Sequence, residues 1–368
     1  MIVGVPKEIK SDEYRVAVVP SGVRVLTLKG HSVLVEKSAG VGSGFEDDAY
    51  LAAGGEIVDS AVELWQRADM VVKVKEPVEQ EYKFFREGLL IYAFLHLAAD
   101  KNLTEELLRK KVTAIAYETI QEADGSLPIL VPMSEIAGRM SIQAGAKYLE
   151  KPHGGKGLLL GGVPGTERAV VVILGGGVAG KNAARMALGL GARVRVLDVS
   201  LTRLRYLDDI FGGAVETIFS DPHTVASSVE GADLVVGSVL IPGARTPRLV
   251  TRDMVSRMGN GGVVVDISVD QGGCVETTRP TSHHDPVFLV DGVTHYCVAN
   301  IPGAVPRTSA PALANASFPY ALQIAEGGFK NAAKKNEALR KGINAIDGML
   351  THQGVADSLG IKFARLEL

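Results

Sequence analysis

Two cysteines, a formal charge of only -3 and the lack of any long unbroken apolar run set the first limits on this 368-residue chain. Cys274 and Cys297 cannot build a disulfide framework and form no CxxC metal pair, a usage that fits a reducing compartment. Without an excess of basic charge, and with Lys and Arg dispersed along the chain, neither nucleic acid nor an anionic membrane is expected as a partner. No stretch approaches the ~20 apolar residues of a membrane span. Residues 1–8 lack a basic segment followed by an apolar core, so a cytoplasmic location is expected. No metal is expected either, because the adjacent pair His283-His284 has no ligand set around it and neighbouring side chains rarely face one ion.

What is present is enough apolar material for more than one core. The chain is 46% hydrophobic and 22% charged, and its length exceeds the usual size of a single core, so two domains are expected. Val- and Ile-rich runs at 2–5, 32–36, 70–74, 90–95 and 113–117 alternate with helix-like stretches, the pattern of parallel strands with crossover helices. Ser21 is a candidate N-cap with Gly30 as the helix stop, and Asn102 a candidate cap for a helix reaching about Lys111. A helix from Ser134 to about Glu150 leads to a glycine-rich loop at 154–165. Six further strands are expected at 169–174, 193–198, 214–219, 234–237, 263–266 and 296–298, the count of a dinucleotide-binding sheet. Beyond Val305 the chain reads as helical over 313–328 and again over the charged stretch 330–349. The expected boundaries are 1–133 with 305–368 for a discontinuous α/β substrate domain, and 134–304 for a doubly wound domain inserted in it.

The strongest motif is the apolar run 169–174 passing directly into Gly175-Gly176-Gly177-Val178-Ala179-Gly180, a GxGxxG between strand and helix. Gly175 permits the tight turn, Gly177 lets the backbone approach a pyrophosphate, and Gly180 lets the helix pack on the strand. The free N–H groups at Val178 and Ala179 then face the phosphates. Asp198, ending the second strand 18 residues after Gly180, can accept bonds from the adenosine ribose hydroxyls, which favours NAD over NADP. Arg203 and Arg205 downstream leave a reading toward a 2'-phosphate open, and a plain glycine-rich turn beside a surface Asp is the non-functional reading. Ligands in such sheets lie beyond the carboxyl ends of the strands. That nominates Ser220, Val239, Leu240, Ile267, Ser268, Val269, Asp270, Val298, Ala299, Asn300 and Ile301.

The opening Gly4-Val5-Pro6-Lys7-Glu8-Ile9-Lys10 with Glu13-Tyr14-Arg15-Val16-Ala17 resembles the N-terminal signature of the alanine dehydrogenase and pyridine-nucleotide transhydrogenase family. Gly161-Gly162-Val163-Pro164-Gly165 leading into the GxGxxG resembles its cofactor signature. The resemblance runs over essentially the whole length. It implies two Rossmann-like domains, NAD as cofactor, L-alanine, pyruvate and ammonium as reactants, and a homohexamer. It also implies that Arg15 and Lys75 hold the substrate carboxylate and carbonyl, that His96 is the acid/base, and that Asp270 acts near the amine; Ser134 and Arg203 join the cofactor set. The residue types agree with those tasks. A guanidinium is a bidentate donor suited to a carboxylate, an ammonium is a point charge suited to a carbonyl oxygen, and an imidazole exchanges protons between pH 5 and 8. Lys75, His96 and Glu118 each follow an expected strand, so one sheet edge would carry all three; Glu118 is read either as functional or as a partner of Lys75. Phe94 stands where related enzymes often carry Tyr, and with Met133 it is a candidate wall of a small apolar pocket. The main alternative is the NAD-binding component of a transhydrogenase, in which the segment matching Phe94-Leu95-His96-Leu97 resembles a Pro-containing one without the histidine. A cofactor-binding protein with a dead site, or a relative of saccharopine dehydrogenase, are further alternatives.

Overall fold

β-Branched and leucine-rich runs form strands because their side chains pack well on a pleated surface that is covered on both faces. In a computed structural model, which describes residues 1–239 and 246–368, the strands in chain order are β1 Ile2–Val5, β2 Ser32–Glu36, β3 Glu56–Val58, β4 Met70–Val72, β5 Leu90–Ala93, β6 Thr113–Ala116, β7 Val170–Leu174, β8 Arg193–Asp198, β9 Glu216–Phe219, β10 Leu234–Gly237, β11 Val263–Asp266, β12 Val287–Val290, β13 Val293–Tyr296, β14 Ile343–Ile346 and β15 Met349–Leu350. The chain divides into one unit of Met1–Met133 with Gly303–Leu368 and a second of Ser134–Pro302.

In the first unit the sheet order is β15-β14-β6-β5-β4-β1-β2-β3. The six strands from β6 to β3 are parallel, and β14 and β15 extend the β6 edge antiparallel. In the second unit the order is β12-β13-β11-β10-β7-β8-β9, parallel except for the hairpin strand β12. Renumbered within each unit, both parallel sets run 6-5-4-1-2-3, the doubly wound order with its switch point between the first and fourth strands. The fold is therefore α/β with two Rossmann-like units. The apolar faces close over cores built around Leu34, Trp65, Ile91 and Leu107 in the first, and Val171, Ala183, Val196 and Leu234 on one face of the second. Val172, Val235 and Val264 fill its other face.

Several local expectations are corrected. The first helix is Pro20–Leu28 with Val19 as N-cap, so Ser21 sits inside its first turn, where proline at the start supplies the fixed φ. The helix Lys101–Arg109 is capped by Asp100, whose carboxylate accepts the Leu103 N–H at 2.9 Å, rather than by Asn102. The helix expected from Ser134 spans Leu130–Leu149. The last strand of the second unit lies at Val293–Tyr296, not 296–298. The charged stretch 330–349 is only partly helical: Pro306–Lys335 breaks its φ/ψ at Gly328 (φ 69°), a short helix Glu337–Gly342 follows, and the chain then enters β14. A Cβ at Gly342 would lie 2.6 Å from Ile120 Cγ1 and 3.3 Å from Ile115 Cγ2 of β6, so that helix ends where the chain must press against the sheet.

Candidate functional site

The register of the second unit brings the expected cofactor residues to one edge. Leu174 pairs with Leu197 on one side and Gly237 on the other, and Gly237 pairs with Asp266, so the segments after β7, β8, β10 and β11 leave the sheet together. Gly175 adopts φ 95°, a left-handed conformation in which its N–H still reaches Leu197 O at 2.8 Å. A Cβ at Gly180 would stand 1.8 Å from Gly175 O, so the helix Val178–Gly189 reaches the turn only because that position is glycine. Gly177 is its N-cap and offers no side chain, and a Cβ there would meet nothing within 4 Å. The donors of the first turn, Val178 and Ala179 among them, are thus left for an anion.

Asp198 is half-buried and accepts the Gly176 N–H at 2.7 Å and the Ser200 N–H at 2.8 Å. It ties the glycine turn to the strand that carries it. Arg203 lies in the helix Leu201–Phe211 with its guanidinium 5.7 Å from the Tyr206 ring. Ser220 follows β9 and donates its N–H to Asp198 O at 3.0 Å. Val239 O accepts the Ser268 hydroxyl at 2.7 Å, and Ile267 N–H bonds Gly237 O at 2.8 Å. Val269 is buried in the single 3-10 turn Val269–Gln271, which leaves Asp270 exposed. Val298 and Ile301 are buried, and Ala299 and Asn300 between them are half-buried, Asn300 at φ 60°. Leu240 lies outside the described residues. Ser134 stands one helical turn before Gly138, whose close approach to Ala179 O (a Cβ would lie 2.1 Å away) packs that helix on the first turn of the cofactor helix. His283 Nε2 donates to Asn300 O at 3.2 Å, a loop contact. The glycine turn, the open helix N-terminus and the carboxylate at the end of the second strand fit an adenine dinucleotide with free ribose hydroxyls.

In the first unit the segments after β1, β4, β5 and β6 form the corresponding edge. Arg15 is buried, with Nε and Nη2 each 2.6 Å from the two oxygens of Glu13 and Nη1 2.9 Å from Met133 Sδ. This bidentate pair fixes the plane of the guanidinium. Lys75 is half-buried, and burial holds its ammonium below the usual lysine range; Glu76 opposes this and the positive charges of Arg15 and Lys10 add to it. Glu76, ion-paired with Lys10, lies below the usual carboxylate range: burial would raise it, but the charges of His96, Lys10 and Lys75 outweigh that. Arg15, Lys75, Glu76 and His96 therefore share one electrostatic neighbourhood.

His96 is exposed and takes φ 48°, ψ 36°. A non-glycine residue holds that conformation at a cost of about 1–3 kcal/mol unless its surroundings secure it. Glu118 does so: its carboxylate accepts the His96 N–H at 2.6 Å and the Leu95 N–H at 3.2 Å. The same residue that the sequence offers as a partner for Lys75 is thus bonded to the backbone under His96. Phe94 is buried and stacks on the imidazole at 5.9 Å between centroids and 7° between planes, with its edge on Tyr117.

Residues 4–137 match the family model described as alanine dehydrogenase/PNT, N-terminal domain, and residues 141–353 match its C-terminal domain. The chain belongs to the alanine dehydrogenase/PNT family. Among relatives, the alanine dehydrogenase of Methanococcus maripaludis is 55% identical over 368 residues, covering 100% of this chain and 99% of its own. A solved L-alanine dehydrogenase superposes with a TM-score of 0.95 at 50% identity, covering 98% of this chain and 99% of that one. A transhydrogenase from Sinorhizobium meliloti gives a TM-score of 0.81 at 25% identity, over 96% and 99%. The family's C-terminal match runs to residue 353, although the segment from Gly303 belongs to the first unit.

Sequence reasoning missed a buried ion triad just before Lys75. Glu8 is buried in an ion triad with Lys73 and Glu81, each Nζ–oxygen distance being 3.0 Å, and its other oxygen accepts the Val74 N–H at 2.6 Å. Glu8 stood within the recognised opening signature, but its partners lie 65 and 73 positions away and carry no local mark.

Proposed function

We propose that the protein catalyses the reversible NAD-dependent oxidative deamination of L-alanine to pyruvate and ammonium. The observation that supports this most directly is His96, held exposed in a left-handed turn by Glu118 and in one electrostatic neighbourhood with Lys75. The greater likeness to an L-alanine dehydrogenase than to a transhydrogenase, 50% against 25% identity, supports it over the transhydrogenase reading.

Gly175, Gly177, Val178, Ala179 and Gly180 would take the pyrophosphate of NAD, Asp198 the adenosine ribose, and the residues after β9, β10, β11 and β13 the rest of the dinucleotide. When bound, that cofactor supplies the hydride acceptor. Arg15, its guanidinium oriented by Glu13, holds the substrate carboxylate. Lys75 neutralises the oxygen of the carbonyl or carbinolamine, and its depressed affinity for a proton lets it share that proton more readily. His96 takes a proton from the water that adds to the iminium carbon, and returns one to the amine as the carbinolamine collapses to pyruvate and ammonium. Asp270 acts near the amine. Phe94 and Met133 supply apolar surface for a methyl side chain. The proposal includes a cytoplasmic homohexamer, supported by family membership and by two buried, free thiols that fit a reducing compartment; light scattering of the purified protein checks the assembly.

The test is NADH formation at alkaline pH with L-alanine against a panel of other L-amino acids. Alanine should give the highest kcat/KM, and no signal above background with any amino acid would end the dehydrogenase reading.

A further inference from the structure

Asp266 ends β11 with no exposure to solvent, and among the described residues its carboxylate is met by hydrogen-bond donors and by no cation. A carboxylate in that position is costly unless every lone pair finds a donor. Here the chain that follows curls back to provide them. Oδ1 accepts the Ser268 N–H at 3.0 Å; Oδ2 accepts the Cys274 N–H at 3.0 Å and the Thr278 hydroxyl at 2.9 Å, with the Val275 N–H at 3.4 Å. Burial raises the affinity of this carboxyl for a proton and these bonds oppose the rise.

The surroundings are shaped for the wrap. Gly272 and Gly273 take φ 101° and 72° in succession, and a Cβ at Gly273 would lie 2.4 Å from Thr278 Oγ1 and 2.8 Å from Asp266 Oδ2. On the neighbouring strand a Cβ at Gly237 would lie 2.3 Å from Cys274 Sγ and 2.9 Å from Asp266 Oδ1. A side chain at Gly273 or Gly237 would block the loop from closing on the carboxylate, while Gly272 contributes its left-handed φ with open space around it. Between its first donor, Ser268, and its second, Cys274, the loop carries the 3-10 turn in which Asp270 stands exposed.

We propose that Asp266 is a positioning residue for the reaction: by binding both arms of the loop it fixes the place of Asp270. This rests on the role given to Asp270 above. Neither cofactor nor substrate is asked to touch Asp266. Its carboxylate acts as an internal template, and two acceptor oxygens are needed because the arms approach from different sides.

Asp266→Asn keeps the size but turns one oxygen into a donor, so the backbone amides of Ser268 and of Cys274 can no longer both be accepted, and the weak Cys274 thiol contact to Oδ1 at 3.8 Å does not replace them. In the full-length protein, with active sites counted by NADH titration, kcat for L-alanine should fall about 10- to 100-fold, the range that a misplaced group costs. The deuterium isotope effect with alanine labelled at C2 should rise, because hydride transfer slows relative to product release. Lower stability alone would move the melting temperature and leave both values, per binding site, unchanged. Wild-type kcat and isotope effect in Asp266→Asn overturn the proposal, provided Asp270→Asn, made in parallel, is impaired. A fully active Asp270→Asn would instead overturn the role of Asp270 itself. Should Asp266→Asn not fold, Thr278→Val, which removes one donor and keeps the volume, decides by the same two readouts: a smaller fall in kcat with a raised isotope effect supports the template, and wild-type values reject it.

Discussion

The two units share a strand order and differ in what occupies the switch point. In Ser134–Pro302 the crevice between β7 and β10 is walled by glycine, with the N-terminus of Val178–Gly189 uncapped by any side chain. In the other unit the corresponding crevice, between β1 and β4, is plugged: Glu8 follows β1, Lys73 follows β4, and with Glu81 they form an ion triad in which no member is more than 8% exposed. One topology thus offers a free anion site in one case and none in the other. The plugged unit makes use of its next residues instead, since Glu8 holds the Val74 N–H and leaves Lys75 at the edge. A doubly wound sheet fixes where a site can be; the side chains at two strand ends decide whether that crevice is open to a dinucleotide or filled.

The sharpest way to break this division of labour is His96→Gln. Turnover should fall by about 10²–10⁴-fold, the usual cost of losing a general acid/base. NADH affinity should persist, because the cofactor motif is in the other unit. Parallel loss of turnover, NADH binding and melting temperature would mark His96 as structural, and wild-type turnover would remove it from the chemistry.

Next in size is Lys73→Met, which keeps the length of the side chain and leaves Glu8 and Glu81 buried without their cation. Breaking a buried pair this way costs about 3–5 kcal/mol. Glu8 already binds its proton more tightly than a free glutamate, through burial and the negative charges of Glu13 and Glu81. A raised folded-state affinity contributes stability below the unfolded carboxylate pKa and loses it as pH rises through the folded value. The loss in Lys73→Met should therefore deepen from pH 5 toward pH 8. Chemical denaturation at both values checks it, and an equal loss at each would show that the triad is not an electrostatic plug.

The open crevice is legible in the sequence and the plugged one is not, for a physical reason: the ion triad joins residues 65 and 73 positions apart. The glycine turn, Asp198 and the strand ends carrying Lys75 and His96 follow from local pattern, because each is a short-range consequence of strand meeting turn. β3, β12, β14 and β15 did not stand out. Three of them have only two to four residues at or near a sheet edge, and Leu289 of β12 is 69% exposed. β14 was hidden because a charged, helix-forming stretch precedes it, yet its Ile343 and Ile346 are buried against β6 and β15. Glu118 stays open in the sequence between a functional role and a pairing with Lys75, since nothing there shows that a carboxylate will bind two backbone amides of a strained turn. Asp266 looked like the last residue of a strand.

The converse of the His96 experiment addresses the open crevice. Asp198→Ala removes the acceptor for Gly176 N–H and Ser200 N–H as well as the group proposed for the ribose. Losing such a charged acceptor costs about 1–3 kcal/mol, so NAD should bind roughly 5- to 150-fold more weakly, with a narrower gap to NADP. Fluorescence titration of both cofactors measures this. Equal use of NAD and NADP by the unaltered protein would contradict the role of Asp198.

The smallest effect expected is also the one most specific to the plugged unit. Burial holds Lys75 below the usual lysine range, so its ammonium should be lost at a lower pH than a free lysine's value of about 10.4. Pyruvate affinity should weaken as pH rises through that lowered value, because the neutral amine no longer opposes the substrate's oxygen. Glu76 is the main charge that resists the shift, with Glu13 adding a smaller part, while Arg15 and Lys10 reinforce it. Glu76→Gln removes the larger part of the resistance and should move the alkaline limb of pyruvate binding to still lower pH, whereas Lys75→Arg should abolish the limb, a guanidinium staying charged throughout. Pyruvate KM measured from pH 7 to 10 in the three proteins separates the cases. A limb that stays in place in Lys75→Arg belongs to another group, and one that moves upward in Glu76→Gln means that Lys75 does not sense the neighbouring carboxylate.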